Sequence, residues 1–79
     1  MVTLRFKNSA VGIVIDRFGT DIDIRPIDEN FSSARVSVNV SNQFFGWITS
    51  IGGDIVIEAP EDTKKAYIAF LHDSTNLYK

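Results

Sequence analysis

The chain has 79 residues and a formal net charge of −2, from ten acidic and eight basic side chains. At this length one hydrophobic core can form, whereas two domains would each bury too little surface to be stable. Hydrophobic residues make up 44% of the chain and charged residues 23%, which indicates a globular rather than a disordered protein. The charge balance gives no general attraction to nucleic acid or to an anionic membrane. We expect a single domain over residues 1–79.

Two features of the composition restrict the chemistry. The sequence has no cysteine, which excludes disulfides, thiolate metal sites and cysteine nucleophiles. Its one histidine, His72, leaves little basis for a zinc site or a histidine general base. The longest apolar run, residues 11–15, ends at Asp16 and is too short to cross a bilayer. We therefore expect no cofactor, no metal and no membrane partner.

The first elements are a strand and a helix. Residues 2–6 alternate apolar and polar side chains, which predicts a half-buried strand. A helix is predicted next, capped by Asn8 or Ser9 and ended by Gly19. Its apolar face comprises Val11, Val14, Ile15 and Phe18.

The middle of the chain predicts a hairpin. Residues 21–25 alternate, and Pro26 places their strand at a sheet edge because proline cannot donate a ladder hydrogen bond. Residues 28–30 are typical of a turn. Residues 35–40 alternate again, with Val36, Val38 and Val40 facing inward.

A second helix and a fourth strand follow. Ser41 or Asn42 is expected to cap the helix, and the glycines at residues 52–53 to end it. Its apolar stripe comprises Phe44, Trp47, Ile48 and Ile51, so Trp47 is expected to be largely buried. Residues 55–59 predict the fourth strand.

The last element is a helix. Pro60 suits its first turn, where a missing N–H costs nothing. Its buried face is expected to comprise Tyr67, Phe70 and Leu71. The element order predicts an α+β protein with the ferredoxin-like β-α-β-β-α-β arrangement: a four-stranded antiparallel sheet, helices on one face and an additional C-terminal helix. The first and third strands are expected at the centre of the sheet, with the fourth beside the first and the second beside the third.

The face of the sheet without helices would be open. Its expected residues are Thr3, Arg5, Lys7, Asp23, Arg25, Arg35, Ser37, Asn39, Asp54, Val56 and Glu58. An RNA-binding sheet of this topology needs aromatic side chains for base stacking, and this prediction places none there. We expect a solvated face with cross-strand ion pairs such as Arg5 with Glu58.

The polar side chains form no catalytic arrangement. Asp21 and Asp23 share one side of a strand but lack the loop spacing of a calcium site. His72 lies late in the last helix and is expected to be exposed, and no serine has a glycine-flanked elbow. Acylphosphatases share the predicted topology, yet the turn at residues 7–9 has neither their arginine nor their glycines. We expect no enzymatic activity.

A few apolar side chains indicate a surface covered by a partner. Ile13, Phe45 and Ile68 do not fit the buried faces of their helices, and Val56 lies on the open face. The fourth strand is a better candidate for edge pairing than the second, which Pro26 protects. We expect a weak homodimer through Phe45, Val56 and Ile68; the alternative is a monomer with scattered exposed hydrophobic residues.

The stretch from Trp47 to Pro60 has a distinctive pattern, WITSIGGDIVIEAP. A tryptophan opens two aliphatic turns, glycines end the helix, and alternating aliphatic residues lead to a proline. With VTLRF at the start and a first helix ending in Phe18, the chain resembles the C-terminal extension (WCX) domain of WYL-domain bacterial transcriptional regulators over residues 2–78. The positions of distinctive identity are Arg5, Trp47, Gly52 and Pro60. Family members often carry arginines in the last helix, where this chain has Lys64 and Lys65.

The resemblance implies a larger parent protein. That parent would have a winged helix-turn-helix domain that binds DNA and a WYL domain that senses a ligand or nucleic acid. This chain would then be a fragment of a cytoplasmic regulator and would meet DNA only through the missing N-terminal domain. Its partners would be the WYL and helix-turn-helix domains of the parent, and its role would be dimerisation or relay without catalysis.

A second hypothesis is that the chain is a free-standing domain that binds a small molecule. ACT domains share the predicted topology and bind amino acids between paired domains. They usually have a glycine directly after the first strand, where this chain has Asn8 and Ser9. This difference favours the WCX resemblance.

Overall fold

The computed structural model describes residues 1–78. Its elements are β1 (Val2–Lys7), a short 3-10 turn (Asn8–Ala10), α1 (Val11–Phe18), β2 (Asp23–Pro26), β3 (Phe31–Val36), α2 (Asn42–Ile51), β4 (Ile55–Ala59) and α3 (Glu61–Asn76). The four strands form one sheet, in the order β2-β3-β1-β4, and each neighbouring pair is antiparallel. The predicted α+β class, the four-stranded antiparallel sheet and the C-terminal helix are confirmed.

The hydrophobic core lies on one face of the sheet. On the central strand β1, Val2, Leu4 and Phe6 are fully buried, as their alternation predicted. The other buried apolar residues are Ala10, Val14, Ala34, Val36, Phe44, Phe45, Ile48, Ile55 and Ile57. They come from α1, α2, β3, β4 and the turn before α1, so the rest of the core packs around the central strand β1.

The third strand begins and ends four residues earlier than predicted. Val36, the last residue of β3, pairs with Val2 at the start of β1, so the chain beyond it has no β1 neighbour. At the other end, the backbone N–H groups of Asn30 and Phe31 both donate to the Asp28 carboxylate, at 2.7 and 2.9 Å. This turn closes directly before the strand. The valines predicted to continue the strand lie in a loop instead.

The predicted helix caps are partly wrong. Neither Asn8 nor Ser9 caps α1, which follows a 3-10 turn and has no side-chain cap. The Asn8 side chain instead donates to the Glu29 carbonyl at 2.9 Å and accepts from the Ser32 hydroxyl at 2.6 Å. It therefore ties the end of β1 to the β2–β3 turn. The Ser41 cap is confirmed, since its hydroxyl accepts from the Phe44 N–H at 3.3 Å.

Two glycines end helices as predicted, and Pro60 lies one position outside its predicted place. Gly19 follows α1 with a φ of 87°, and Gly52 follows α2 in the left-handed conformation at φ 77°. Side chains disfavour this region because Cβ crowds the carbonyl oxygen. Pro60 has an extended backbone and precedes α3, whose first turn begins at Glu61.

The last helix is the longest and the least buried. Of the 16 residues of α3, none is fully buried, and only part of one side packs on the domain. Leu71, predicted on the buried face, is 37% exposed. The helix extends beyond the part of the core that Tyr67 and Phe70 contact. Neither α3 nor any other helix within residues 1–78 has the length and apolar character to cross a membrane.

Replacing one glycine within α2 and one directly after it by alanine is expected to have opposite effects on stability. Gly46 lies in mid-helix, Gly52 follows the helix end, and an added Cβ would meet no atom within 4 Å at either position. Gly46→Ala should raise the free energy of unfolding by about 0.5–1 kcal/mol, because alanine is the better helix former. Gly52→Ala should lower it by about 1 kcal/mol or more, because φ there is positive.

Urea denaturation followed by circular dichroism measures both changes. The two variants serve as each other's controls, since they differ only in backbone conformation. If both substitutions changed the free energy of unfolding in the same direction, the left-handed conformation of Gly52 would be contradicted.

Candidate interaction surface

The α2 side chain Phe45 is covered by α3. Its ring lies 5.4 Å from the ring of Tyr67 and 5.5 Å from that of Phe70, measured between centroids. The Thr49 hydroxyl is 3.0 Å from the Tyr67 hydroxyl and reinforces this contact. Phe45 is only 6% exposed, so its prediction as an exposed interface residue is wrong. The sequence pattern fails here because the cover comes from another helix.

The other two predicted interface residues lie together. Val56 on β4 and Ile68 on α3 line one groove between the strand and the helix. The remaining lining residues are Ile48, Gly53, Ile55, Ile57, Lys64 and Tyr67, and the cavity volume is about 270 Å³. Ile68 is 61% exposed at the rim, whereas the three other isoleucines form the buried floor. The groove is therefore an apolar surface that opens from the core to solvent.

The groove lies at an edge of the sheet. Within residues 1–78 its strand, β4, has β1 as its one strand neighbour, and α3 lines the groove on the other side. The one charged side chain in the lining is Lys64, whose ammonium group lies 3.6 Å from the Glu61 carboxylate. An apolar floor with a single, already paired charge can bury a partner's apolar side chains at little electrostatic cost.

Trp47 is half-buried and not, as predicted, largely buried. It lies on the helical side of the domain, where its ring makes an edge contact with Phe18 at 5.4 Å and stacks near Phe44 at 6.3 Å. The Arg17 guanidinium lies over the ring at 5.3 Å. Trp47 thus joins the end of α1 to α2 at the border of the core.

On the open face of the sheet, the predicted pair of Arg5 with Glu58 does not form. A bulge shifts the β1–β4 register, so that Thr3 faces Ala59 and Leu4 faces Ile57, and Glu58 has no residue opposite it. The guanidinium of Arg5 instead lies 5.5 Å from the centre of the Phe31 ring.

The open face therefore has an aromatic side chain that the sequence analysis did not place there. Phe31 is the first residue of β3 and pairs with Lys7, whose neighbours in β1 show that this side of the strand faces away from the core. The early start of β3 is the cause. The alternating pattern did not predict Phe31 in the strand, because this residue directly follows the turn at Asp28.

Two ion pairs hold charges on this face. The Lys7 ammonium lies 3.3 Å from the Asp54 carboxylate, and the Arg25 Nε lies 3.0 Å from the Asp23 carboxylate. All four side chains are about half exposed or more, so these pairs contribute little to stability. Their effect is to neutralise part of the charge of the face.

The polar residues considered for catalysis are dispersed. His72 is exposed on α3, with its ring nitrogen 3.3 Å from the Asn76 amide. Asp21 and Asp23 are exposed before and at the start of β2. Among residues 1–78, no three histidine, aspartate or glutamate side chains converge to hold a metal ion.

The sequence pattern of the domain matches that of a known protein family. The WCX domain family matches residues 1–73, almost the whole chain. The chain belongs to the WCX domain family, and this membership gives it the context of WYL-type transcriptional regulators. No curated protein and no solved structure matches it.

Removing the ring that α3 covers is expected to destabilise the domain strongly. Phe45→Ala should lower the free energy of unfolding by about 3–5 kcal/mol, because it leaves a cavity between α2 and α3. Ile13→Ala is the control, since Ile13 is 43% exposed on α1 and its loss should change stability by about 0.5 kcal/mol or less.

Urea denaturation of both variants gives the two values. A cost below about 1 kcal/mol for Phe45→Ala would mean that the ring is not covered by α3 as the structure describes.

Proposed function

We propose that this domain is a non-catalytic regulatory and dimerisation module of a helix-turn-helix, WYL-type bacterial transcriptional regulator that acts in the cytoplasm. Its membership in the WCX family supports the regulatory role. In this proposal, contact with DNA in the parent protein belongs to the helix-turn-helix domain. The domain itself supplies a surface for a second copy or for the neighbouring WYL domain.

We also infer a ferredoxin-like topology for the domain. The supporting observations are the strand order β2-β3-β1-β4 and the two helices that connect β1 to β2 and β3 to β4. In such a sheet both edges are exposed unless they are protected, so the character of each edge strand bears on how the domain associates.

The groove between β4 and α3 is the observation that carries the dimerisation proposal. It combines an edge strand, a buried aliphatic floor and the exposed Ile68 on its rim. The other edge strand, β2, ends in Pro26 and carries the charged residues Asp23 and Arg25, which disfavour strand pairing. Association through the apolar side chains of the groove between β4 and α3 is therefore the better supported route. Because the groove is small, the dimer of this domain alone is expected to be weak.

The proposal of no catalysis has its own support. The sequence has no cysteine, and its one histidine is exposed beside Asn76 rather than near a serine hydroxyl. A nucleophile needs a base within hydrogen-bond reach, and the described residues show no such pair that includes His72.

Placing a carboxylate in the groove is expected to prevent dimerisation. Sedimentation at high micromolar concentration should show a dimer for the unmodified chain and a monomer for Ile68→Glu and Val56→Glu. The physical reason is that pairing would bury an uncompensated charge. Dimer affinity should fall more than about tenfold, which corresponds to about 1.4 kcal/mol.

Ile13→Glu is the matched control. It introduces the same charge at an exposed isoleucine on α1, outside the groove, and should leave the dimer intact. A chain that is strictly monomeric, or a control that dissociates equally, would contradict the proposed interface.

The alternative, an amino-acid-binding domain similar to ACT domains, has one supporting feature. A hollow lies between the end of β1 and the β2–β3 turn, with Lys7, Asn8, Glu29 and Phe31 in its lining. Two of the groups that could hold a ligand are already engaged there. Asn8 bonds the β2–β3 turn, and Lys7 pairs with Asp54.

Free amino acids are therefore expected not to stabilise the domain. A ligand at a hundred times its Kd would add about 2.7 kcal/mol, which corresponds to a rise in Tm of roughly 10 °C or more at this size. Thermal melts with each amino acid at millimolar concentration provide the measurement. A reproducible rise that Lys7→Ala abolishes would favour the alternative.

A further inference from the structure

The groove between β4 and α3 lies along an edge of the sheet and gives access to the strand itself. Its lining includes Ile55 and Ile57, whose side chains are buried in the core, and also Val56, which lies on the opposite face of the strand beside Arg5. Successive side chains of a strand point to opposite faces, so one cavity touches both sets only where it follows the strand edge. The edge of β4 away from β1 is therefore part of the groove.

The backbone of β4 has hydrogen-bonding groups along this edge. The Lys7 N–H donates to the Asp54 carbonyl at 2.9 Å, so the backbone of Asp54 is directed towards β1. Because an antiparallel ladder uses alternate residues of each strand, the N–H and C=O groups of Ile55 and Ile57 point away from β1. Within residues 1–78, neither residue makes a backbone hydrogen bond outside the β1–β4 ladder. These groups are available to a further strand.

This edge lacks the features that protect the other edge of the sheet. The strand β2 ends in Pro26 and carries the ion pair of Asp23 with Arg25. The strand β4 has no proline and no lysine, and its one charged residue, Glu58, lies in the bulge near its end. The bulge limits regular pairing to residues 55–57. An apolar edge without such protection is a template for an added strand.

The helix α3 forms the outer wall of the groove. Lys64, Tyr67 and Ile68 line this wall, and the contacts of Tyr67 with Phe45 and Thr49 hold it in place. The cavity volume of about 270 Å³ lies near the lower end of the range for sites that enclose a whole small molecule. The groove therefore suits a few apolar side chains of a longer ligand.

The extent and charge of the groove favour a short peptide over a folded partner. Eight residues line the groove, whereas a standard interface between folded proteins uses roughly 20–30 residues on each side. Strand addition needs less area, because backbone hydrogen bonds supply part of the affinity. The one charged side chain in the lining, Lys64, lies 3.6 Å from the Glu61 carboxylate in an exposed pair. Its ammonium group has three donors and can also bind a partner's carboxylate.

We propose that this groove binds a short extended peptide that adds a strand to β4. The peptide backbone pairs with Ile55 and Ile57, and an acidic group at one end binds Lys64. Every second side chain of the peptide is apolar and enters the cavity between Ile48 and Ile68. The intervening side chains lie towards the open face and can be polar. This inference goes beyond the proposed dimer and does not require a second copy of the chain.

Fluorescence anisotropy with a labelled heptapeptide tests the proposal. In this peptide valines alternate with threonines, and one end carries a glutamate. The peptide should bind at a chain concentration at which the chain is monomeric. N-methylation of the alternate amides that face β4 should weaken binding more than about tenfold, whereas N-methylation of the intervening amides should leave it nearly unchanged. No binding, or equal effects of the two methylated sets, would overturn the proposal.

Substitutions in the chain locate the peptide. Ile68→Glu should weaken binding more than about tenfold, because it places a carboxylate beside the apolar side chains of the peptide. Lys64→Gln should weaken binding about threefold, and it should have no effect on a peptide whose glutamate is replaced by glutamine. Ile13→Glu is the matched control, since it introduces a carboxylate at an exposed position outside the groove. Normal binding by Ile68→Glu, or equal loss in Ile13→Glu, would overturn the proposal.

Sedimentation of the unmodified chain separates this proposal from the proposed dimer. A chain that binds the peptide but stays monomeric at high micromolar concentration would support strand addition and contradict the dimer alone. A chain that dimerises but does not bind the peptide would overturn strand addition alone. If both proposals hold, excess peptide should dissociate the dimer, because the two partners occupy the same groove.

Discussion

The burial of alternate residues along β1 is the constraint on which the rest of the structure depends. Val2, Leu4 and Phe6 are each at most 1% exposed, and the strand pairs with β3 on one side and β4 on the other. A shift of one residue in either pairing would move an entire apolar set to the solvent face. The register of β1 therefore determines which residues of both neighbouring strands enter the core and which face outward.

The same alternation produces the open face. The residues of β1 that point away from the core are polar or basic, and the antiparallel register brings Ser33 and Arg25 into line with Arg5. Phe31 joins them only because β3 begins as soon as the Asp28 turn closes. Core formation and the character of the open surface are thus two results of one strand register.

The C-terminal helix contributes differently, because it has no buried residue of its own. Tyr67 and Phe70 cover Phe45, and this contact holds α3 beside β4, where Ile68 becomes the rim of a groove. The contact of Tyr67 and Phe70 with Phe45 therefore has two effects. It buries Phe45, and it positions the exposed Ile68 at the groove. Of the three interface residues predicted from the sequence, Val56 and Ile68 line this groove and Phe45 lies beneath the helix.

The sequence by itself determined the α+β class, a cap of α2 at Ser41 or Asn42, the glycines that end α1 and α2, and the pattern from Trp47 to Pro60 that resembles the WCX family. These features depend on side-chain spacing or on hydrogen bonds between residues close in the chain. The tertiary structure decided the limits of β3, the burial of Phe45 and the unpaired position of Glu58 in the β-bulge. Each of these depends on a neighbour far away in the sequence, since strand ends and helix coverage are set by the element that supplies the opposing hydrogen bonds or apolar surface.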